Sequence, residues 1–289
     1  MDYFKIFAIF LVLIIPASAS DVVLVSDTVS DCASANIIPT INDSYVVINT
    51  SWGVYDDDVL EQILSENPKN VIIVGGTVAV PSEYDTQLEE AGLTVERIYG
   101  IDRYQTNKNV ILKFKDQIQN RNMWIVYGDD DRPEFCNAGD NIVILSNGTA
   151  LSVDDEDLGD FDPGRVTVME NPVFNPNNVR ARLENYGFYV SIQSMPESVL
   201  NRTVYRKMEQ LQLQIETMEQ LGINCTPLRN DLTSINNSIR NQNLEQAYAG
   251  ELVLERNLLS YKHQNRHVYW NGPKITYIRK IIVLTTTIK

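Results

Sequence analysis

Two short runs in this chain have residue types and spacings that could do chemistry. Gly75, Gly76 and Thr77 follow an apolar stretch, Val71 to Val74, and precede a helix-opening Pro81 and Ser82. A strand, a glycine turn and a helix N-terminus can together cradle a phosphate. Here the glycines lack the spacing of a dinucleotide fingerprint, and the lysine of a P-loop is missing. The turn is therefore expected to use glycine's backbone freedom rather than to bind a nucleotide. The second run is Asp102, Arg103 and Tyr104, a charged pair beside an aromatic at a strand exit. Such a trio suits hydrogen bonding to a sugar or to a neighbouring domain, or a local ion pair that shapes the loop.

Other reactive side chains form no catalytic pattern. His263 and His267 are the only histidines; spaced four apart they could share a helix face, but there is no H-E-x-x-H glutamate and no third ligand. No Ser–His or Cys–His pair can be assembled elsewhere, and there is no G-x-S-x-G elbow. Neither catalytic residues, a metal nor a cofactor is expected, and the chain is read as a non-enzyme. Of the three cysteines, Cys32, Cys136 and Cys225, one pair could bridge in an oxidising compartment, leaving one over; the spacing does not say which. Net charge is -14, with aspartate clusters at 56–58, 129–131 and 154–160. These are read as solvated acidic faces, which repel nucleic acid and disfavour an anionic polymer.

Residues 1–20 have the grammar of a secretory signal: Lys5, an apolar run from Ile6 to Ile15, then Ala17 and Ala19 at small-residue cleavage positions. That run is too short to span a membrane, and no transmembrane span is expected. Asn-x-Ser/Thr acceptors for glycosylation stand at Asn42, Asn49, Asn147, Asn201, Asn224 and Asn236.

The elements that must position these residues alternate. Val22 to Ser26 and Tyr45 to Ile48 read as strands, with a small-residue helix between them. Val59, Leu60, Ile63 and Leu64 lie on one face of a helix. Gly92 is placed to close the helix after Pro81, and Leu93 to Ile98 is a further strand. Alternation of this kind predicts parallel strands with right-handed crossovers. The pattern then repeats. A shift placing Val71 on Val166 also places Pro68 on Pro163, Pro81 on Pro176, Leu88 on Leu183, Gly92 on Gly187 and Val95 on Val190. In the second copy Glu170, Asn171 and Pro172 replace Gly75, Gly76 and Thr77, and the helix before Pro163 gives way to the acidic run 154–160. Beyond Pro196, Val204, Met208, Leu211, Ile215 and Met218 form an a/d seam, and two further helices follow. The β-branched tail 275–288 is an edge strand or a disordered end.

The first unit resembles a cell-wall-binding repeat of the type 2 family, found in tandem in surface-layer proteins. The resemblance rests on Ser26, Asp31, Ser34 and Ala35, then Val74-Gly75-Gly76-Thr77, Val95 to Ile98, and Gly100-Ile101-Asp102-Arg103-Tyr104. Asp27 and Val29 depart from the family's Gly and Phe, and the second unit resembles a copy without Gly-Gly-Thr or Asp-Arg-Tyr. The resemblance implies an α/β fold of tandem Rossmann-like parallel-sheet units, here followed by an α-helical hairpin or coiled coil. It implies a non-enzymatic surface role, with Ser26, Asp31, Gly75, Gly76, Thr77, Asp102, Arg103 and Tyr104 as polymer-binding candidates.

The expected organisation is a signal (1–20), repeat 1 (21–110), a divergent repeat 2 (111–196), a coiled-coil region (197–262) and a tail (263–289). The expected function is a secreted cell-surface protein that binds an envelope polysaccharide non-covalently. The alternatives are a structural surface-layer or adhesin component held by surface-layer protein contacts or by self-association through residues 198–262, and a degenerate extracellular enzyme.

Overall fold

Val22, Val23, Leu24 and Val25 have no exposed surface, because β1 (Asp21–Ser26) runs in the interior of a parallel sheet with a neighbour on each side. The computed structural model describes residues 20–42, 44–118, 122–161 and 164–265. The signal-like start, Pro163, His267 and the β-branched tail lie outside these residues.

The first sheet has the order β2-β1-β3-β4 and is wholly parallel. Its strands are β1, β2 (Tyr45–Thr50), β3 (Asn70–Val74) and β4 (Thr94–Ile98). The crossovers are α1 (Val29–Ala35) with α2 (Ile37–Ile41), then α3 (Asp57–Ser65), then α4 (Glu83–Glu90). The continuous apolar runs are the interior strands β1 and β3, and the mixed sequences of β2 and β4 are the edges, as parallel sheets covered on both faces require. Helix α5 (Arg103–Phe114) leads to a second parallel sheet of the same form, β6-β5-β7-β8. Its strands are β5 (Met123–Tyr127), β6 (Ile142–Ser146), β7 (Val166–Met169) and β8 (Val190–Gln193), with α6 (Asp155–Phe161) and α7 (Asn177–Asn185) as crossovers. The two copies keep the same punctuation. Gly92 ends α4 at φ +84° and Gly187 ends α7 at φ +85°, the left-handed backbone that favours glycine.

Asp102 stands at the exit of β4, between it and α5, where its side chain accepts from the Gln105 N–H at 2.8 Å and caps α5. Gln105 in turn accepts from the Ile101 N–H at 2.8 Å, so Asp-x-x-Gln acts much like a capping box. The run 154–160 has not lost its helix: it is α6, with Leu158 fully buried. Asp154 accepts from the Asp157 N–H in its first turn. One apolar face and an acidic helix start suffice to keep it helical.

The two units share a core. Val23, Val25, Ile72 and Val74 of the first sheet, Val110, Ile111 and Phe114 of α5, and Ile125, Ile144 and Val168 of the second sheet belong to one buried cluster. Helices α1 and α5 lie at the joint, both packed on β6. Cys32 in α1 is disulfide-bonded to Cys136 in the 3₁₀ turn Pro133–Asn137, with Cα atoms 5.1 Å apart, and Cys225 is free and buried.

Three helices follow: α8 (Glu197–Gln220), α9 (Thr226–Arg240) and α10 (Leu244–Gln264). The seam residues Val204, Leu211, Ile215 and Met218 are buried against Leu228, Leu232, Leu254 and Leu258, so α9 and α10 fill the seam within the chain. Among the described residues no helix is long and apolar enough to cross a membrane.

The helices dock on the second unit through charge, and this overturns the reading of residues 129–131 as a solvated face. Asp130 and Asp131 are buried, with Asp129 little exposed beside them. Asp130 is clasped by Arg132, Nη2 to Oδ2 at 2.9 Å, and accepts from Asn171 Nδ2 at 2.7 Å. Asp131 pairs with Lys207 of α8 at 3.0 Å, and Lys207 also reaches Glu255 of α10 at 2.5 Å. Glu251 of α10 is 1 % exposed, and neither of its carboxylate oxygens has a hydrogen-bond partner. Desolvation, then the nearby Asp131 charge, pushes its pKa up to about 9, so it is held protonated at neutral pH.

Two outcomes follow for stability. Replacing Cys32 and Cys136 together by serine opens a link spanning 104 residues and should lower unfolding free energy by about 2–4 kcal/mol, read by denaturant titration with and without reductant. Between the ordinary carboxylate pKa and about 9, the folded chain keeps a proton on Glu251 that the unfolded chain releases. Stability therefore falls as pH rises through that window, and the fall should be shallower by about one proton in Glu251→Gln, measured by denaturation across the window.

Candidate functional site

The strand order of the first sheet reverses between β1 and its two neighbours, β2 and β3. In open α/β sheets the crevice beyond the carboxyl ends of the strands at such a reversal is where ligands bind. Here it holds a cleft of about 350 Å³. Thr28 to Asp31 leave β1, Gly76 to Ala79 leave β3, and Tyr99 to Arg103 lead from β4 into α5. Trp52, Thr106 of α5, Gly128 to Asp131 from the exit of β5, and Leu252, Glu255, Arg256 and Leu259 of α10 complete the lining. All three parts of the chain thus contribute to one cleft.

The turn after β3 is shaped from below. Gly75 has φ +125°, and its N–H donates to the Ile98 carbonyl at 3.0 Å. Arg97 Nη1 donates to the Gly75 carbonyl at 2.7 Å and to that of Val80 at 3.0 Å, and its guanidinium pairs with Asp85. This nearly buried cation fixes both ends of the Gly75–Val80 turn. Gly76 is the position where the turn faces the cleft: a Cβ there would meet nothing nearer than Tyr99 at 3.9 Å. On the β1 side Ser26 Oγ donates to Asp31 Oδ2 at 2.5 Å, and burial pushes the Asp31 carboxyl above its ordinary value.

Across the cleft, Arg103 pairs with Asp129 at 2.7 Å and donates to the Gly128 carbonyl at 2.8 Å. Arg256 of α10 holds the other oxygen of Asp129 at 2.9 Å. Tyr104 lies directly on Gly128: a Cβ there would stand 2.5 Å from the ring. Burial pushes the Tyr104 hydroxyl up to about 12. Arg103 and Tyr104 therefore bind a neighbouring unit, one of the roles their chemistry suits.

Of the eight candidate polymer-binding residues, Asp31, Gly76, Thr77, Asp102 and Arg103 line the cleft. The other three support it: Ser26 orients Asp31, Gly75 makes the turn and Tyr104 seats Gly128. The sequence reading missed Arg97, Asp129 and Arg256. Only Asp129 carried a signal, three aspartates directly after a buried strand. In the second unit the equivalent crevice is filled. Asn171, which replaces Gly76, turns its side chain inward to Asp130 and accepts from the N–H groups of Val173 and Phe174.

Among the described residues no group of three His, Cys, Asp or Glu side chains is arranged to hold a metal ion, and His263 is exposed at the end of α10. The glycosylation acceptors separate by geometry. Asn147 and Asn224 are exposed in turns, their carbonyl oxygens accepting from Thr149 and Thr226. Asn42 is exposed beyond α2, and Asn49 is exposed on edge strand β2. Asn201 and Asn236 stand in α8 and α9, with Thr203 and Ser238 buried.

No protein-family profile matches the chain. Among solved structures, Cwp6 from Clostridium difficile superposes with a TM-score of 0.50 at 16% identity, over 62% of this chain and 29% of that one. Cwp8 from the same organism gives 0.47 at 16% identity, over 68% and 33%. The chain spans a third or less of the length of these two proteins, and the likeness to Cwp6 is one of fold. In sequence, the uncharacterized protein MJ0755 of Methanocaldococcus jannaschii is 31% identical over 271 residues, covering 89% of this chain and 78% of that protein. On that identity and coverage, the chain belongs to the MJ0755 protein family.

Proposed function

We propose that this protein acts at the cell surface, where it binds an envelope glycopolymer non-covalently through the cleft of its first unit. The observation that carries the reading is the convergence of Asp31, Gly76, Thr77, Asp102 and Arg103 on one cleft at the strand-order reversal. The hydroxyl and carboxylate groups of the lining, together with the rings of Trp52 and Tyr99, are the kinds of group that hold a sugar, by hydrogen bonds to its hydroxyls and by contact with its apolar ring face. The export-type start of the sequence and the family resemblance of the first unit point the same way. The second unit and the three helices then form the rest of the binding body: one fills its own crevice, and the other supplies the wall at α10. Non-enzymatic binding is the activity this arrangement supports.

Deleting residues 198–262 would not separate this reading from attachment through protein contacts, because it would uncover Asp131 and the side of the cleft. Filling the cleft does separate them. Gly76→Phe adds a ring where a Cβ has only ordinary contacts, so stability should stay within about 0.5 kcal/mol of wild type. The wild-type chain should sediment with isolated envelopes, and the Gly76→Phe variant should bind them at least about tenfold more weakly. Equal sedimentation of both would place the contact elsewhere.

A further inference from the structure

We infer that the cleft takes an uncharged, hydroxyl-rich saccharide segment in preference to a polyanionic one. This rests on the proposed glycopolymer binding and specifies its chemistry. A site for a phosphate- or carboxylate-bearing polymer needs cations free to meet it, usually arginine forks or lysines facing the groove. Among the described residues the cleft lining holds two cations, Arg103 and Arg256, and a single carboxylate engages both: Asp129 accepts Arg103 at 2.7 Å and Arg256 at 2.9 Å. Their geometry joins β5, α5 and α10. An anion entering between them would compete with Asp129 for both guanidinium groups.

The other charges in the lining are negative. Asp31, Asp102 and Glu255 stand around the cleft, and the chain as a whole carries -14. An approaching polyanion meets repulsion at long range as well as in contact. Part of the apolar lining is open to solvent. Tyr99 is 56% exposed, Val78 44% and Ile101 93%. A sugar ring offers an apolar face to such a surface while its hydroxyls meet Thr28, Ser30 and Asp31, and it requires no cation.

The test uses the full chain and two probes, the neutral and the acidic polysaccharide pools of the host envelope, separated on an anion exchanger. Binding is measured at about 0.1 M and about 1 M salt, which shortens electrostatic reach from about 10 Å to about 3 Å. Retention of the neutral pool, unchanged by salt and weakened about tenfold in Tyr99→Ala, supports the inference; Tyr99 is exposed enough for the variant to keep the fold. Preference for the acidic pool with loss at high salt overturns the inference and leaves glycopolymer binding standing. Neutral-pool binding that Tyr99→Ala and Trp52→Ala both leave unchanged overturns it too, since the contact then lies outside the cleft. Retention of neither pool overturns the glycopolymer reading itself.

Discussion

The arrangement of this protein depends on one buried amide. Asn107 of α5 has no exposed surface and satisfies its side chain in four directions. Its nitrogen donates to Ser34 Oγ of α1 at 3.1 Å and to the Val143 carbonyl of β6 at 2.9 Å. Its oxygen accepts from the Leu145 N–H at 3.1 Å and from Ser152 Oγ at 2.5 Å. A buried polar group left without a partner costs about 1–3 kcal/mol, so these groups hold one relative placement of the two units. The disulfide between Cys32 and Cys136 fixes the same placement covalently. Once α1 and α5 are seated on β6, the exit of β5 must face the exit of β1, and the cleft follows.

The two units show how one scaffold can be left open in one copy and filled in the other. Each has the same strand order, and so each has a crevice at the same point. In the first, a glycine turn held from below by Arg97 leaves the crevice clear. In the second, the Asn171 side chain points inward, Asp130 and Arg132 pair within it, and α10 covers them with Tyr248 and Glu251. Filling the second crevice has a structural use. It gives the helices a charged seat, with Lys207 between Asp131 and Glu255, and so brings Arg256 to the first crevice. Buried ion pairs contribute little net stability but tolerate few alternative placements once formed. Here they set where α10 lies, and α10 is a wall of the cleft.

Much of this architecture is determined by local sequence. Apolar runs such as Val71 to Val74 mark interior strands, because a strand covered on both faces cannot alternate with polar residues. Pro81 with Gly92 and Pro176 with Gly187 bracket matching helices, since a left-handed residue ends a helix and glycine enters that conformation without strain. Even α5, which the pattern of apolar residues concealed, was written in Asp102-x-x-Gln105. Tertiary structure alone decided which carboxylates meet water, which cysteines pair and which residues meet in the cleft. Three adjacent aspartates look like a solvated face until the neighbouring Arg132 folds back on Asp130, and Lys207 and Arg256 arrive from α8 and α10 to pair with Asp131 and Asp129. Strands and caps are set by residues a few positions apart. The contact of Arg103 with Asp129 and Arg256 is set by how three packed bodies fit, and no local spacing in the chain records that.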